Sequence, residues 1–440
     1  MGLTTPPALA VIGAGVGGCA LVAGLRRGGW GGAISLWESG RGPGGRTATR
    51  RSRQDAGLRF DHGAPFFNIT ATPPALVAPL LASGAIQPWR EPQARLDASG
   101  RLHPPDPATP LTGDEPSARG DPFPSGDPYT SGALYHGGGG MDQLCRGLLD
   151  LADGAGCGEI GRGGTEQGGT GHDGTGQGGA VARHFGVLVR HLAVTPAGRW
   201  QLFDATRQLL VEADWLVLAG TLLAHPRSRL LLAWDTVPLQ EAARDLGDPD
   251  LFHGLAALAS MRFQARSNLL LVAGGEAAES WRRCPFRWLR FDPAAEQRWR
   301  LSRLSIQPLE DGRVAVVAHS SAVFAAEHLS VYGSRSSIAR QLGIQPKGEE
   351  EGAVIEALTE AVEGALAAWL APGLVRQGER QLMRWGAAFP LEPGLPQALA
   401  LCPRSRVGFC GDYLAGVGFG RVEGSLRSAE RLAASLLQAV

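Results

Sequence analysis

Residues 8–25 read A-L-A-V-I-G-A-G-V-G-G-C-A-L-V-A-G-L, an apolar run studded with glycine. Three structures use such a run: a secretory leader, a membrane helix, or the phosphate-binding turn of a nucleotide fold. A leader needs basic residues ahead of the apolar stretch, and residues 1–7 carry none. A membrane helix needs about 20 predominantly apolar residues. This run is shorter, rich in glycine, and interrupted by Arg26 and Arg27. The third reading fits. Val11 and Ile12 end a buried strand, Gly13–Gly18 turn the chain, and Ala20–Arg27 has helix-like composition. A second strand, Ala33–Trp37, then closes on Glu38, which completes the opening of a βαβ unit.

Gly13-Ala14-Gly15-Val16-Gly17-Gly18 satisfies G-x-G-x-x-G. The first glycine permits the tight turn, the second lets a pyrophosphate approach the backbone, and the third lets helix pack on strand. The helix start offers unpaired N–H groups and the positive end of its dipole to the phosphates. In a chain with 63 glycines the motif alone says little. Its place between strand and helix, with Glu38 at the end of the next strand, makes it a dinucleotide site. Glu38 would accept hydrogen bonds from an adenosine ribose and repel a 2′-phosphate, which disfavours NADP and leaves NAD or FAD. Gly44-Gly45-Arg46 follows within eight residues of Glu38. Backbone donors and a guanidinium there suit the longer reach of FAD.

The rest of the composition excludes more than it identifies. The 42 basic and 42 acidic side chains cancel, so no net field attracts nucleic acid or an anionic membrane. Cysteines 19, 145, 157, 284, 402 and 410 are scattered without a CxxC pair, which suits a reduced, cytoplasmic protein. No HExxH-like pair suggests zinc. The single lysine, Lys347, stands beside Glu349, Glu350 and Glu351 in an expected surface loop. Chemistry that needs a buried lysine, or a Walker loop, is thereby excluded. Residues 91–131, with D-P-F-P-S-G-D-P, are expected to be irregular, and the glycine tract 154–180 to be a disordered insertion. Its His172 then belongs to a solvated linker. V-L-V-R-H-L-A-V-T-P-A-G-R-W-Q-L-F-D-A at 187–205 reads as a hairpin, and 213–220 as a buried strand.

G-x-G-x-x-G, then E-x5-G-G-R at 38–46, then F-D-H-G-A-P-F-F at 60–67, resembles the N-terminus of the FAD-dependent amine-oxidase-like superfamily. Three later blocks agree in order: G-G-M-D-Q-L at 139–144, R-W-G-A-A-F-P at 384–390, and C-G-D…G-R-V-E-G-S at 410–425. The chain most resembles the renalase-like branch. The resemblance implies an α/β fold: a Rossmann-like FAD-binding domain of the glutathione-reductase type, built from discontinuous segments, plus an α+β substrate domain with a mixed or antiparallel sheet. The expected boundaries are 1–70, 132–225 and 400–440 for the FAD-binding domain, and 71–131 and 226–399 for the substrate domain.

Carried onto this chain, the resemblance implies that Gly13, Ala14, Gly15 and Gly18 cradle the pyrophosphate while Glu38 and Ser39 meet the ribose. Gly45 and Arg46 reach the diphosphate or flavin side. The backbone of Val189 touches adenine, and Gly411 and Asp412 hold the far side of the pyrophosphate and ribitol. The helix opening at Val422 and Glu423 aims its positive end at the flavin, where reduction places negative charge. Cys410 reads as a core thiol rather than a flavin anchor. The lysine that many relatives keep near the flavin is missing, as is general in the renalase-like branch. Pro65 and Met383 depart from the glutamine and histidine of many relatives, and 288–298 lacks the usual lysine-proline; these changes are expected on the substrate side.

The implied activity is FAD-dependent oxidation: a small reduced substrate, such as a dihydronicotinamide isomer, gives a hydride to flavin N5, and oxygen or another acceptor takes the electrons. Such a donor expels hydride with its own ring nitrogen and needs no strong protein base. Phe67, Arg384 and Trp385 are candidate pocket residues, and His62 is expected to be a hydrogen-bonded core histidine. His319-Ser320-Ser321 lacks the orienting acid of a nucleophile site. Two other readings share the cofactor: a polyene desaturase or isomerase, and a flavin-binding protein without catalysis. None calls for a nucleic-acid partner or an integral membrane segment.

Overall fold

The computed structural model describes residues 6–52, 55, 57–105, 131–154, 180–232, 234–334 and 347–440. The first strand, β1 (Leu9–Ile12), lies between β2 (Ile34–Glu38) and the Trp215–Leu218 strand, parallel to both. Ala182–Phe185 extends the sheet beyond β2, and Val407–Phe409 and Leu401–Cys402 extend it on the other side. Both faces are covered, so the central strands are apolar throughout, as parallel strands must be when helices or a second layer lie on each side. Leu9, Val11 and Leu36 point to one core, whereas Ala10, Leu216 and Leu218 point to the other.

On the first face, helix α1 (Val16–Arg27) packs against the Asp142–Ala152 helix and the C-terminal helix Val422–Ala439. The approach is close because α1 carries small residues there: a Cβ added at Gly24 would lie 3.1 Å from the Ala433 Cβ. On the second face lies an antiparallel three-stranded sheet, His191–Val194, Trp200–Phe203 and Leu209–Ala213. It carries fully buried Trp200 into the core beside Leu216 and Leu218. The hairpin expected at 187–205 therefore forms, with a third strand added. Its first residues, 187–190, are not strand; Val187 N–H instead donates to the Glu38 carbonyl.

A second, mixed sheet of seven strands runs in the order Glu379–Leu391, Arg262–Ala273, Val314–Ser320, Leu301–Pro308, Trp288–Phe291, Gln93–Leu96, Leu102–His103. Alternation sorts its side chains. Leu269, Leu271, Val316, Ala318, Leu304 and Ile306 enter a core with the Gly348–Ala365 helix, while Leu270, Ala315 and Val317 on the opposite face pack with Leu58 and Phe60.

Three expectations change here. Part of 91–131 is regular: Gln93–Leu96 and Leu102–His103 form a hairpin closed by Asp97, whose carboxylate accepts from the Ser99 and Arg101 N–H groups. The proline-rich remainder, 106–130, and the glycine tract at 155–179, with Cys157 and His172, lie outside the described residues. The packing also crosses the boundaries drawn at 70 and 226. Leu76, Val77, Leu80 and Ile86 join the core under α1, and Leu251, Leu255 and Leu258 of the Pro249–Ser260 helix join the core that holds Trp200, Leu216 and Phe409. Amphipathic pieces go where an apolar face is open, and local sequence does not say which face that is. Lys347 is exposed and non-helical, as expected, but Glu349, Glu350 and Glu351 form the first turn of the Gly348–Ala365 helix. Among the described residues no helix is long and apolar enough to cross a membrane, and no group of side chains could hold a metal ion.

Candidate functional site

The glycine turn after β1 takes the shape its sequence implies. Gly13 has φ +107°, a region that only glycine enters freely. A Cβ on Gly18 would stand 1.9 Å from the Gly13 carbonyl oxygen, so this position also demands glycine. Gly15 differs: an added Cβ would meet nothing within 4 Å, because the residue faces open space. That open space is a cavity of about 480 Å3 that runs from the turn to the seven-stranded sheet. It falls in the range of small-molecule and cofactor sites, roughly 300–1,000 Å3.

One end of the cavity is lined by Gly13, Gly15, Glu38, Gly45, Arg46 and Asp412. The Glu38 carboxylate accepts from Ala14 N–H at 2.9 Å and Gly40 N–H at 2.6 Å, which fixes it at the strand end. Gly44 N–H donates to the Ala14 carbonyl at 2.9 Å, so the second glycine doublet lies directly against the first. Arg46 forms a two-pronged pair with Asp412, at 2.6 and 2.5 Å, and also donates to the Ala388 carbonyl at 2.9 Å. This pair joins residues 366 apart in sequence and ties the early loop to the Val407–Phe409 strand end. Gly411 and Val422 complete this wall, the latter in the first turn of the C-terminal helix.

The other end is aromatic and basic. Phe66, Phe67, Phe263, Trp288, Trp385 and Phe389 line it, together with Arg227, Arg266, Arg303 and His319. The guanidinium carbons of Arg266 and Arg303 lie 5.2 and 4.8 Å from the ring centre of Phe389. Arg227 lies 4.0 Å over Phe263 and donates to the Thr221 hydroxyl at 2.7 Å. Burial, followed by the Arg46 charge, pulls Arg227 down to about 10, although Asp412 opposes the shift. Burial also lowers both histidines nearby: His62 falls to about 4, with Arg50 contributing, and His319 falls well below its ordinary value, with Arg303 and Arg266 contributing.

Most of the residues named from sequence converge on this cavity. Gly13, Gly15, Glu38, Gly45, Arg46, Gly411, Asp412, Val422, Phe67 and Trp385 line it. Ala14 and Gly18 act from behind the turn, one through its N–H and the other by its small size. Ser39 donates to Glu38, and Val189 is buried in the core beneath the three-stranded sheet; neither is among the described residues that line the cavity.

Glu423 stands in the first turn of the C-terminal helix, at the expected helix opening. Its side chain is fully buried and turned away, accepting from the Thr70 hydroxyl at 2.7 Å and from Arg427 at 2.9 Å. It fastens the C-terminal helix to residues 70–71. Arg384 needs correction: its guanidinium stacks 3.9 Å over Tyr332 and donates to the Leu329 carbonyl. In a strand, neighbours point to opposite faces, so Trp385 and Arg384 cannot both face the cavity. Met383 packs beside Leu270 and Val317, whereas Pro65 does line the site. His62 is buried with its ring 5.7 Å from Trp385, and its Nδ1 has no hydrogen-bond partner. Ser320 and Ser321 spend their hydroxyls on the Ser267 and Phe324 N–H groups, which gives His319 no nucleophile to activate.

Arg227, Arg266 and Arg303 escape a motif-based reading. The signal was present in alternation: Arg303 is a charge at a strand position between Leu301 and Ser305, where a sheet packed on both faces expects an apolar side chain.

The fold and this site define a class, a Rossmann-like nucleotide-binding unit joined to a mixed-sheet unit with the cavity between them. A family described as NAD(P)-binding Rossmann-like domain matches residues 11–78. No curated protein matches the sequence. Among solved structures, the chain is similar to cyclohexylamine oxidase from Brevibacterium oxydans, with TM-score 0.59, 13% identity, and 98% and 99% of the two chains covered. It is also similar to putrescine oxidase bound to putrescine, with TM-score 0.53, 14% identity, and 98% and 99% covered. An oxidoreductase from Methanosarcina mazei gives TM-score 0.55, 13% identity, and 97% and 99% covered. The chain thus has an amine-oxidase-like fold.

Proposed function

We propose that the protein is an FAD-dependent oxidoreductase that takes two electrons, as a hydride, from a small reduced substrate and passes them to oxygen or another acceptor. The observation that carries the proposal is the single cavity joining the glycine turn, Glu38 and the Arg46–Asp412 pair to an aromatic chamber. The residues present fit the cofactor: the open face of Gly15 admits a pyrophosphate, Glu38 reaches a ribose, and Val422 places a helix start beside the chamber. FAD, when bound, supplies a two-electron acceptor whose reduced form carries negative charge, which the positive end of that helix stabilises.

The chain's own part is to bind, orient and dry the substrate. Phe66, Trp288, Trp385 and Phe389 offer ring faces to a planar donor and exclude water. His62 and His319 are held neutral with little basicity, and the lysine is exposed elsewhere. Among the described residues that line the cavity the only carboxylates, Glu38 and Asp412, are engaged at the cofactor end. This supports the renalase-like form of the reaction, in which the donor expels hydride without a protein base.

The purified protein is expected to be yellow and to release FAD on denaturation. Anaerobic mixing with dihydronicotinamide isomers should bleach it, and simple amines should not. A protein that neither retains nor takes up FAD overturns the cofactor assignment. Bleaching by amines alone overturns the substrate assignment.

A further inference from the structure

We propose that Arg227 is a second cation for the cofactor's diphosphate, working alongside Arg46, and that it gives the site a preference for a dinucleotide over a phosphate-free flavin. The inference rests on the functional reading above and deepens its cofactor assignment.

Both halves of the fold position this side chain. After the Trp215–Leu218 strand, Ala219 N–H donates to the Ile12 carbonyl at 2.9 Å. Residues 219–221 therefore lie against the glycine turn, where a Cβ added at Gly13 would stand 3.5 Å from the Ala219 Cβ. The Thr221 hydroxyl then accepts from the Arg227 guanidinium at 2.7 Å. The seven-stranded sheet holds it too, through the Phe263 ring at 4.0 Å. His225 fixes the backbone between them. Its Nε2 donates to the Met261 carbonyl at 2.9 Å, which leaves Nδ1 to accept the Arg227 N–H at 2.9 Å. Gly220, Thr221, Phe263 and Arg227 all line the cavity, and Arg227 keeps part of its surface exposed.

The charges at this end call for such a group. Arg46 and Asp412 neutralise each other through their two-pronged pair, and Glu38 adds a negative charge. The start of α1 supplies only about half a positive charge to a diphosphate laid on the glycine turn. Arg227 is placed differently from Arg46. It forms no ion pair with any described carboxylate, and its guanidinium is held by a neutral hydroxyl and a ring face. It is nevertheless near enough to Arg46 and Asp412 for both charges to act on it. Burial and Arg46 pull it down only to about 10, so it is charged at neutral pH. A guanidinium oriented in this way suits phosphate oxygens, which it binds through its planar fork of N–H donors.

The test is titration of flavin-stripped protein, unmutated and R227Q, with FAD, ADP and riboflavin. R227Q should bind FAD and ADP about tenfold more weakly, as expected for loss of a charged hydrogen bond. Riboflavin, which has no phosphate, should change by less than about twofold. Thr221→Val keeps the guanidinium but removes its hydroxyl partner, and carries the test if R227Q does not fold. It should weaken FAD about threefold and leave riboflavin unchanged. FAD and ADP affinities unchanged in R227Q, FAD affinity unchanged in Thr221→Val where R227Q does not fold, or riboflavin weakened as much as FAD, overturns the proposal. Failure of the unmutated protein to bind FAD would instead remove the functional reading itself, and the two failures are distinct.

Discussion

The two glycines of the opening turn make a paired test of where the cofactor lies. A Gly18→Ala change places a Cβ 1.9 Å from the Gly13 carbonyl oxygen and 3.1 Å from the Ala219 Cβ. The obstacle is backbone on a strand end, so it yields only by shifting α1. Overpacking of this kind costs about 3 kcal/mol. At roughly 2 °C per kcal/mol for a large chain, the melting temperature falls by about 6 °C. A Gly15→Ala change meets no protein atom within 4 Å, and φ −75° suits alanine. Its cost to the cofactor-free fold is about 0.5–1 kcal/mol, from a poorer helix cap. The new methyl projects into the cavity, where a pyrophosphate must touch the backbone. FAD affinity should therefore fall at least tenfold, or about 1.4 kcal/mol. Scanning calorimetry of flavin-stripped protein, followed by FAD titration with fluorescence quenching, measures both quantities. Gly15→Ala binding FAD as tightly as the unmutated protein would refute the placement of the pyrophosphate. A Gly18→Ala protein of unchanged stability would refute the steric argument.

Three further outcomes are expected. Glu423→Ala removes the carboxylate that Thr70, Ala71, Arg421 and Arg427 share. It leaves two largely buried guanidinium groups, so urea unfolding should show a loss of about 3 kcal/mol; a loss below about 1 kcal/mol would deny Glu423 its fastening role. Burial raises Glu423, but Thr70, Arg427 and Arg421 outweigh it and hold the group below its ordinary value. Its contribution is accordingly present above the ordinary carboxylate pKa and is lost as pH falls through the lowered one. His62 is neutral in the fold down to about pH 4, whereas the unfolded chain takes up the proton near 6.5. The resulting loss of about 3 kcal/mol as pH falls through that window should be absent from His62→Gln when the two proteins are compared at each pH. The comparison also cancels Asp61, which burial pushes up to about 6 and which acts with the opposite sign. Finally, Cys19, Cys145, Cys284, Cys402 and Cys410 are buried, so a thiol reagent should reach none of these five until the protein unfolds. Labelling followed by peptide mapping reads this directly.

The cofactor half was legible because its requirements are local. Gly13 must take a positive φ, Gly18 must lack a side chain, and Glu38 must end the next strand; each can be read from a few neighbouring residues. Asp412 was legible only through a family resemblance, because its partner Arg46 is 366 residues away. Errors came where the side-chain direction mattered. Arg384 sits in the expected block but points away from the cavity, and a motif records order rather than facing.

The sequence by itself determined the βαβ opening, the dinucleotide turn and the absence of a serviceable lysine, because backbone geometry and residue type decide them within one short window. Only the tertiary structure decided what the chamber presents. Arg227, Arg266, Arg303 and His319 come from four separate segments, and none belongs to a motif. Arg266, Arg303 and His319 come together when the strand register sets one alternating face of the seven-stranded sheet against the nucleotide turn, and a register is a property of paired strands rather than of any single one.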